Sequence, residues 1–191
     1  MLEFVQFVQA LFPGIDPFVA AKCLEAIRQH RTLPEDLVSG PIGGEVCQGD
    51  LIEGIRLRVP TRDGGSGAIT GLSMVVSNSC DLDNKPFALL APSFDLELFR
   101  SDPRLPDISR NTVTNLFALD FVPGGISVVS DLSLIQPIST EALKHALESG
   151  SVRRVCSLSE VGWYLLLSKL TVHLMRPEDL GDAQRTRLTS Q

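Results

Sequence analysis

Hydrophobic and polar positions change period several times along the 191-residue chain, and the changes mark its elements. Between Gly49 and Asp95, short runs rich in Val, Ile and Leu are separated by Gly, Pro, Asn and Asp. That pattern predicts three successive strands of a small antiparallel sheet or barrel. The first opens at Gly49-Asp50-Leu51-Ile52 and continues through Ile55 to Val59. The second is Leu72 to Asn78, and the third is Phe87 to Pro92. Residues 60–67 read as the turn-forming loop between the first two, and Ser79 to Lys85 as a polar loop before the third. Further on, Phe117, Leu119 and Phe121 alternate with Ala118 and Asp120, a strand with one buried face. Pro123-Gly124-Gly125 turns it back into Ile126 to Val129. Leu132 to Ile138 is extended, and a short helix begins near Thr140 and stops at Gly150.

The flanks have helical period. Residues 2–12 show one polar stripe, Glu3, Gln6 and Gln9, on an otherwise apolar helix. Asp16-Pro17 caps a second helix reaching His30, and Thr32 with Glu35 has capping-box spacing. Near the other end, Ser157 and Glu160 share that spacing ahead of Val161 to Leu174, a long apolar helix closed by Arg176-Pro177. Ser101 to Arg110, with Pro103 and Pro106, reads as an exposed loop, and Arg153-Arg154 as a connector. The expected organisation is a helical hairpin over 1–44, a barrel with a short helix over 45–150, and a helix with a polar tail over 151–191, packed as one unit.

Composition adds limits. With 43% hydrophobic residues and 21% charged, the chain can bury a core, and its net charge of −6 opposes general binding to phosphate backbones. The four cysteines form no C-x-x-C pair, so neither a thiolate zinc site nor a disulfide framework is expected, and no cofactor or metal is called for. The start lacks a basic region before its apolar residues, and the most apolar window is too short and polar to span a bilayer. The expectation is a cytosolic protein without membrane contact.

In order and spacing, Gly49-Asp50-Leu51-Ile52, Val75-Val76-Ser77-Asn78 and Leu90-Ala91-Pro92-Ser93 resemble the MazF/PemK-like toxins, with the likeness covering about residues 48 to 148. It implies an α+β fold with a mainly β core: an SH3-like antiparallel barrel, often dimeric, from bacterial toxin–antitoxin modules that cut RNA. The family's arginine before the Val-Val-Ser-Asn strand stabilises charge on the scissile phosphate. This chain has Gly71-Leu72-Ser73 there. Ser93 matches the family's hydroxyl, and Arg56, Arg58 or Arg62 would have to substitute for the missing cation.

Cys80, Asp81 and Asp83 form the most conspicuous polar cluster. It is either a nucleophile or half-metal site, or a turn whose carboxylates satisfy backbone amides. Arg56 and Arg58 share a strand face, which is either a basic patch or a solvated surface. His145 and His173 read as packed or surface residues. Two functions follow. One is a non-catalytic barrel that binds a partner protein or a second copy through its apolar helices, within a toxin–antitoxin or phage-defence system. The other is a divergent endoribonuclease acting on RNA through Ser93 and an arginine.

Overall fold

The computed structural model describes residues 37–61 and 63–174. The expected N-terminal helices, Arg62 and the polar tail lie outside the described residues. Within them the protein is α+β: one antiparallel sheet of eight strands and four helices. The strands are β1 (Val38–Ser39), β2 (Leu51–Pro60), β3 (Ser66–Val75), β4 (Phe87–Asp95), β5 (Leu116–Val122), β6 (Ile126–Asp131), β7 (Gln136–Ser139) and β8 (Arg153–Leu158). The helices are α1 (Ser79–Asn84), α2 (Leu105–Ser109), α3 (Thr140–Glu148) and α4 (Glu160–Leu174). No described helix is long and apolar enough to cross a membrane.

The hydrogen-bonded order is β1-β8-β2-β3-β4-β6-β5, with β7 also on β4, and it does not close into a ring. One edge of β4 pairs with β3 through Leu90, Ala91 and Pro92. Phe87 to Leu90 pair with β7, and Ser93 to Asp95 with β6. A 3-10 turn at Leu132–Leu134 joins β6 to β7, so the two form one interrupted strand alongside β4.

Both faces of the sheet are apolar because both are covered. On one, Leu51, Met74, Ala91, Phe117, Val128 and Leu158 meet Leu165, Leu166 and Leu170 of α4. On the other, Ile52, Leu57, Val75 and Leu90 meet Leu82 of α1 and Leu143 of α3. A bulge in β2 between Glu53 and Ile55 reassigns the faces along the strand. Gly54 sits at that bulge with φ 94°, a backbone conformation that glycine adopts freely.

Two further contacts link parts of the open sheet that do not pair as strands. Around the larger core the terminal strands β1 and β5 approach each other, and α4 lies across the seam. Gly162 of α4 packs so tightly that a Cβ there would lie 2.2 Å from the Leu37 carbonyl oxygen. Around the smaller core, Gln136 of β7 reaches the free edge of β2. Its amide accepts the Arg58 N–H (2.9 Å) and donates to the Arg58 carbonyl (2.9 Å), as a neighbouring strand would.

Several elements differ from expectation for local reasons. β3 begins at Ser66 and ends at Val75, so the hairpin arms run almost to the turn. Ser79 to Asn84 is a helix rather than a loop, capped by the Asn78 side chain accepting the Cys80 N–H. Residues 101–110 contain α2, which buries Ile108 completely. β5 is buried on both faces through Leu116 to Leu119 and Val122. Arg153-Arg154 opens β8, paired with β2 and β1, where a connector was expected. Ser157 does not cap the last helix; Ser159 does, accepting the Gly162 N–H at 3.1 Å.

Candidate functional site

The residues expected to carry chemistry are dispersed. Ser93 lies on β4, 7% exposed, with its hydroxyl 2.7 Å from that of Ser130, its register partner on β6. The pairings Glu53↔Leu72 and Ser73↔Pro92 set Ser93 level with Glu53. Arg56 and Arg58 are exposed further along β2 toward the hairpin turn, with β3 between them and Ser93. Among the described residues neither arginine side chain makes an ion pair. Hydroxyl-assisted RNA cleavage requires a proton acceptor, a donor and positive charge around one phosphate. Ser93 and the two arginines are not gathered for that.

Cys80, Asp81 and Asp83 lie on the exposed side of α1. Asp83 pairs with Lys144 of α3 at 3.1 Å, and Leu82 is the buried residue of the helix. Instead of a strand-end turn, the segment is a helix that pins α1 to α3. Among the described residues no group of three or more His, Cys, Asp and Glu side chains could hold a metal. His145 is exposed and His173 half-buried.

The polar groups that the fold does assemble are others. Asp50 is fully buried at the start of β2. Its carboxylate accepts the Ser157 hydroxyl (2.6 Å), the Cys47 N–H (2.8 Å) and the Arg154 guanidinium (3.3 Å). Arg154 also donates to the carbonyls of Ile42, Gly43 and Glu45, so one cation ties the 42–47 strap to β8. Next to it in β8, burial and then the Asp50 charge push the Cys156 thiol up to about 11. Just after the strap, Gln48 links α4 to α1: Trp163 Nε1 donates to the Gln48 side-chain oxygen (3.0 Å), while the Gln48 N–H donates to Ser79 Oγ (3.1 Å).

The second assembled group is Lys169 on α4, 6% exposed, whose ammonium nitrogen donates to the Val113 and Leu116 carbonyls, each at 2.6 Å. Burial pushes this amine down to about 7. Both groups are structural in geometry: every partner named is the chain's own backbone or side chain. The sequence offered one signal for Lys169, a single cation among Leu165, Leu166 and Leu170, where helical period places a buried side chain. For Asp50 the signal was its place between Gly49 and Leu51 at a strand start.

The described surface exposes the large apolar side chains of Ile42, Phe87, Leu89, Leu98, Ile126 and Leu174, of which Phe87 and Leu89 alternate on β4 as a short strip. Phe87 and Leu89 on β4 are 59% and 41% exposed, and their register partners on β7 are Ser139 and the exposed Pro137. By contrast, α4 directs most of its apolar side chains into the chain's own core. Comparison of the sequence with family models and with curated proteins finds no match.

Proposed function

We propose that this protein is a non-catalytic module that works by binding a partner, with the sheet as a divergent SH3-like barrel of the MazF/PemK type. The observation that carries the reading is Ser93. Its hydroxyl is buried against Ser130, on a strand separated by β3 from Arg56 and Arg58. Among the described residues, no nucleophile-activating or phosphate-binding set converges there. The proposed setting is the cytoplasm of a bacterium, in a toxin–antitoxin or phage-defence system, and it rests on the order of strands in the sequence. The partner is a protein or a second copy. The strip at Phe87 and Leu89 is the place to look for contact, since α4 is largely committed to the core.

A second reading, a divergent endoribonuclease, keeps the support of one observation: Arg56 and Arg58 are exposed on one face without carboxylate partners among the described residues. One experiment separates the two. Purified protein is incubated with total cellular RNA, and its mass is followed by size-exclusion chromatography with light scattering. The binding reading expects intact RNA and a complex or dimer that Phe87→Glu disrupts. RNA cleavage that disappears in both Ser93→Ala and Arg56→Ala would transfer the conclusion to the nuclease. A monomer that captures no partner would remove the binding reading.

A further inference from the structure

Toward its hairpin turn, β3 loses one of its two neighbours. β4 pairs with it only through Leu90, Ala91 and Pro92; from Ser93 to Asp95, β4 lies against β6 and then enters the 3-10 turn Leu96–Phe99. The stretch Ser66 to Gly71 therefore pairs with β2 alone. Gln136 takes the Arg58 N–H and carbonyl on the far edge of β2, so Arg58 and its register partner Ala68 exchange no ladder bonds. The Ala68 N–H and carbonyl then point away from β2, and alternation gives Thr70 the same orientation. Both residues are exposed, and among the described residues nothing takes their outward backbone groups. A Cβ built on Gly71 would meet nothing within 4 Å. The sequence Ser-Gly-Ala-Ile-Thr-Gly holds no charge or proline, two devices that keep edge strands from pairing.

The face beside this edge is basic. Arg56 and Arg58 are exposed, alternate with the buried Ile55 and Leu57, and stand in register with Thr70 and Ala68. Cross-strand partners share a face, so the two arginines project next to two small side chains. Nearby carboxylates are engaged elsewhere: Glu53 pairs with Arg153, and Asp95 accepts the Glu97 N–H. A strand added beyond β3 would lie about 10 Å from β2, two strand spacings away. An arginine and a glutamate together span that distance, and neither Ala68 nor Thr70 is large enough to stand between them.

We propose that the outer edge of β3 is a strand-addition site for an extended segment of a partner protein with carboxylates at alternate positions, which Arg56 and Arg58 meet across Thr70 and Ala68. The backbone of such a segment supplies both the donors and the acceptors that the edge lacks, whereas a phosphate backbone supplies acceptors only. A second copy of β3 would fit worse, since pairing about a twofold axis brings four arginines and no carboxylate to one face. The inference rests on the binding-module reading and places the partner's segment at the opposite end of β4 from Phe87 and Leu89.

The probe is a short fluorescent peptide alternating valine and glutamate, titrated into the purified protein and followed by anisotropy. Saturable binding is expected, weakened at least about tenfold in R56A/R58A and unchanged in Phe87→Glu. A peptide with lysine in place of glutamate should not bind. The same acidic peptide N-methylated on the residues that face β3 keeps its charge but cannot donate, and should lose binding. Thr70→Pro removes an outward N–H from the protein at an edge position where proline is tolerated, and should act likewise. If that variant does not fold, the N-methylated peptide decides. No saturable binding of the acidic peptide, equal binding of its N-methylated form, or full binding by R56A/R58A overturns the inference. So does a single-stranded oligonucleotide that binds more tightly than the peptide and depends on the same arginines. Peptide binding is read without the natural partner, so its loss removes this edge alone, while RNA cleavage or failure to capture any partner removes the binding-module reading.

Discussion

The open sheet is bridged in two places by different means. Around the larger core, α4 lies over the seam between β1 and β5, with a glycine against a backbone carbonyl and a buried lysine on two others. Around the smaller core, one glutamine amide bridges β7 to β2 near the surface. The difference lies in what water can do. A solvated edge loses little if its bridge is removed, because water replaces the bonds. A buried seam has no such substitute, so its packing and its polar groups must both be satisfied by the chain.

The contrast is broken most severely at Gly162. Gly162→Ala places a methyl group 2.2 Å from the Leu37 oxygen, so the helix must lift from the seam. A loss of about 3 kcal/mol is expected, read as a lower urea midpoint. Arg154→Ala comes next. It leaves the buried Asp50 carboxylate without its cation and frees the 42–47 strap, for a loss of about 3 kcal/mol or slightly less. Asp50→Asn in the Arg154→Ala background should recover part of that stability, since no buried charge is then stranded.

Lys169 gives the seam a pH dependence that the Gln136 bridge lacks. Its amine titrates near 7 in the folded chain and near 10.5 when unfolded. Between those values the unfolded state holds a proton that the folded state has released, so stability rises with pH. The gain is at most about 1.4 kcal/mol per pH unit, and below pH 7 the full cost of burying the charge is present. A neutral amine still has two N–H groups for the two carbonyls. Urea midpoints from pH 6 to pH 9 should climb for the unsubstituted chain relative to Lys169→Met. A flat difference would show that the amine stays charged. The smallest effect is expected for Gln136→Ala, about 0.5–1.5 kcal/mol, with faster exchange at the Arg58 amide as the local readout.

Much of the strand order was legible because β2, the end of β3 and β4 are apolar runs bounded by turn residues. What the sequence concealed was where each run pairs. Arg153 and Arg154 made β8 look like a connector, yet one arginine is spent on Glu53 at the surface and the other on Asp50 inside. Pro103 and Pro106 suggested only a loop, although a proline in the first turn of a helix is compatible with α2. Ser157 has the spacing of a cap, but its hydroxyl goes to a carboxylate more than a hundred residues away, which no local pattern encodes. The burial of Ser93 was hidden for a similar reason: its partner Ser130 arrives through a non-local strand pairing. The Arg56 and Arg58 face was read correctly as a shared, exposed one.

Cys156 offers a built-in stopwatch for the seam between β2 and β8. Its thiol is fully buried beside Leu51 and held up to about 11, so a thiol reagent at neutral pH can reach a reactive sulfur there only when those strands part. Cys80, exposed on α1, starts reacting at once and marks time zero in the same tube.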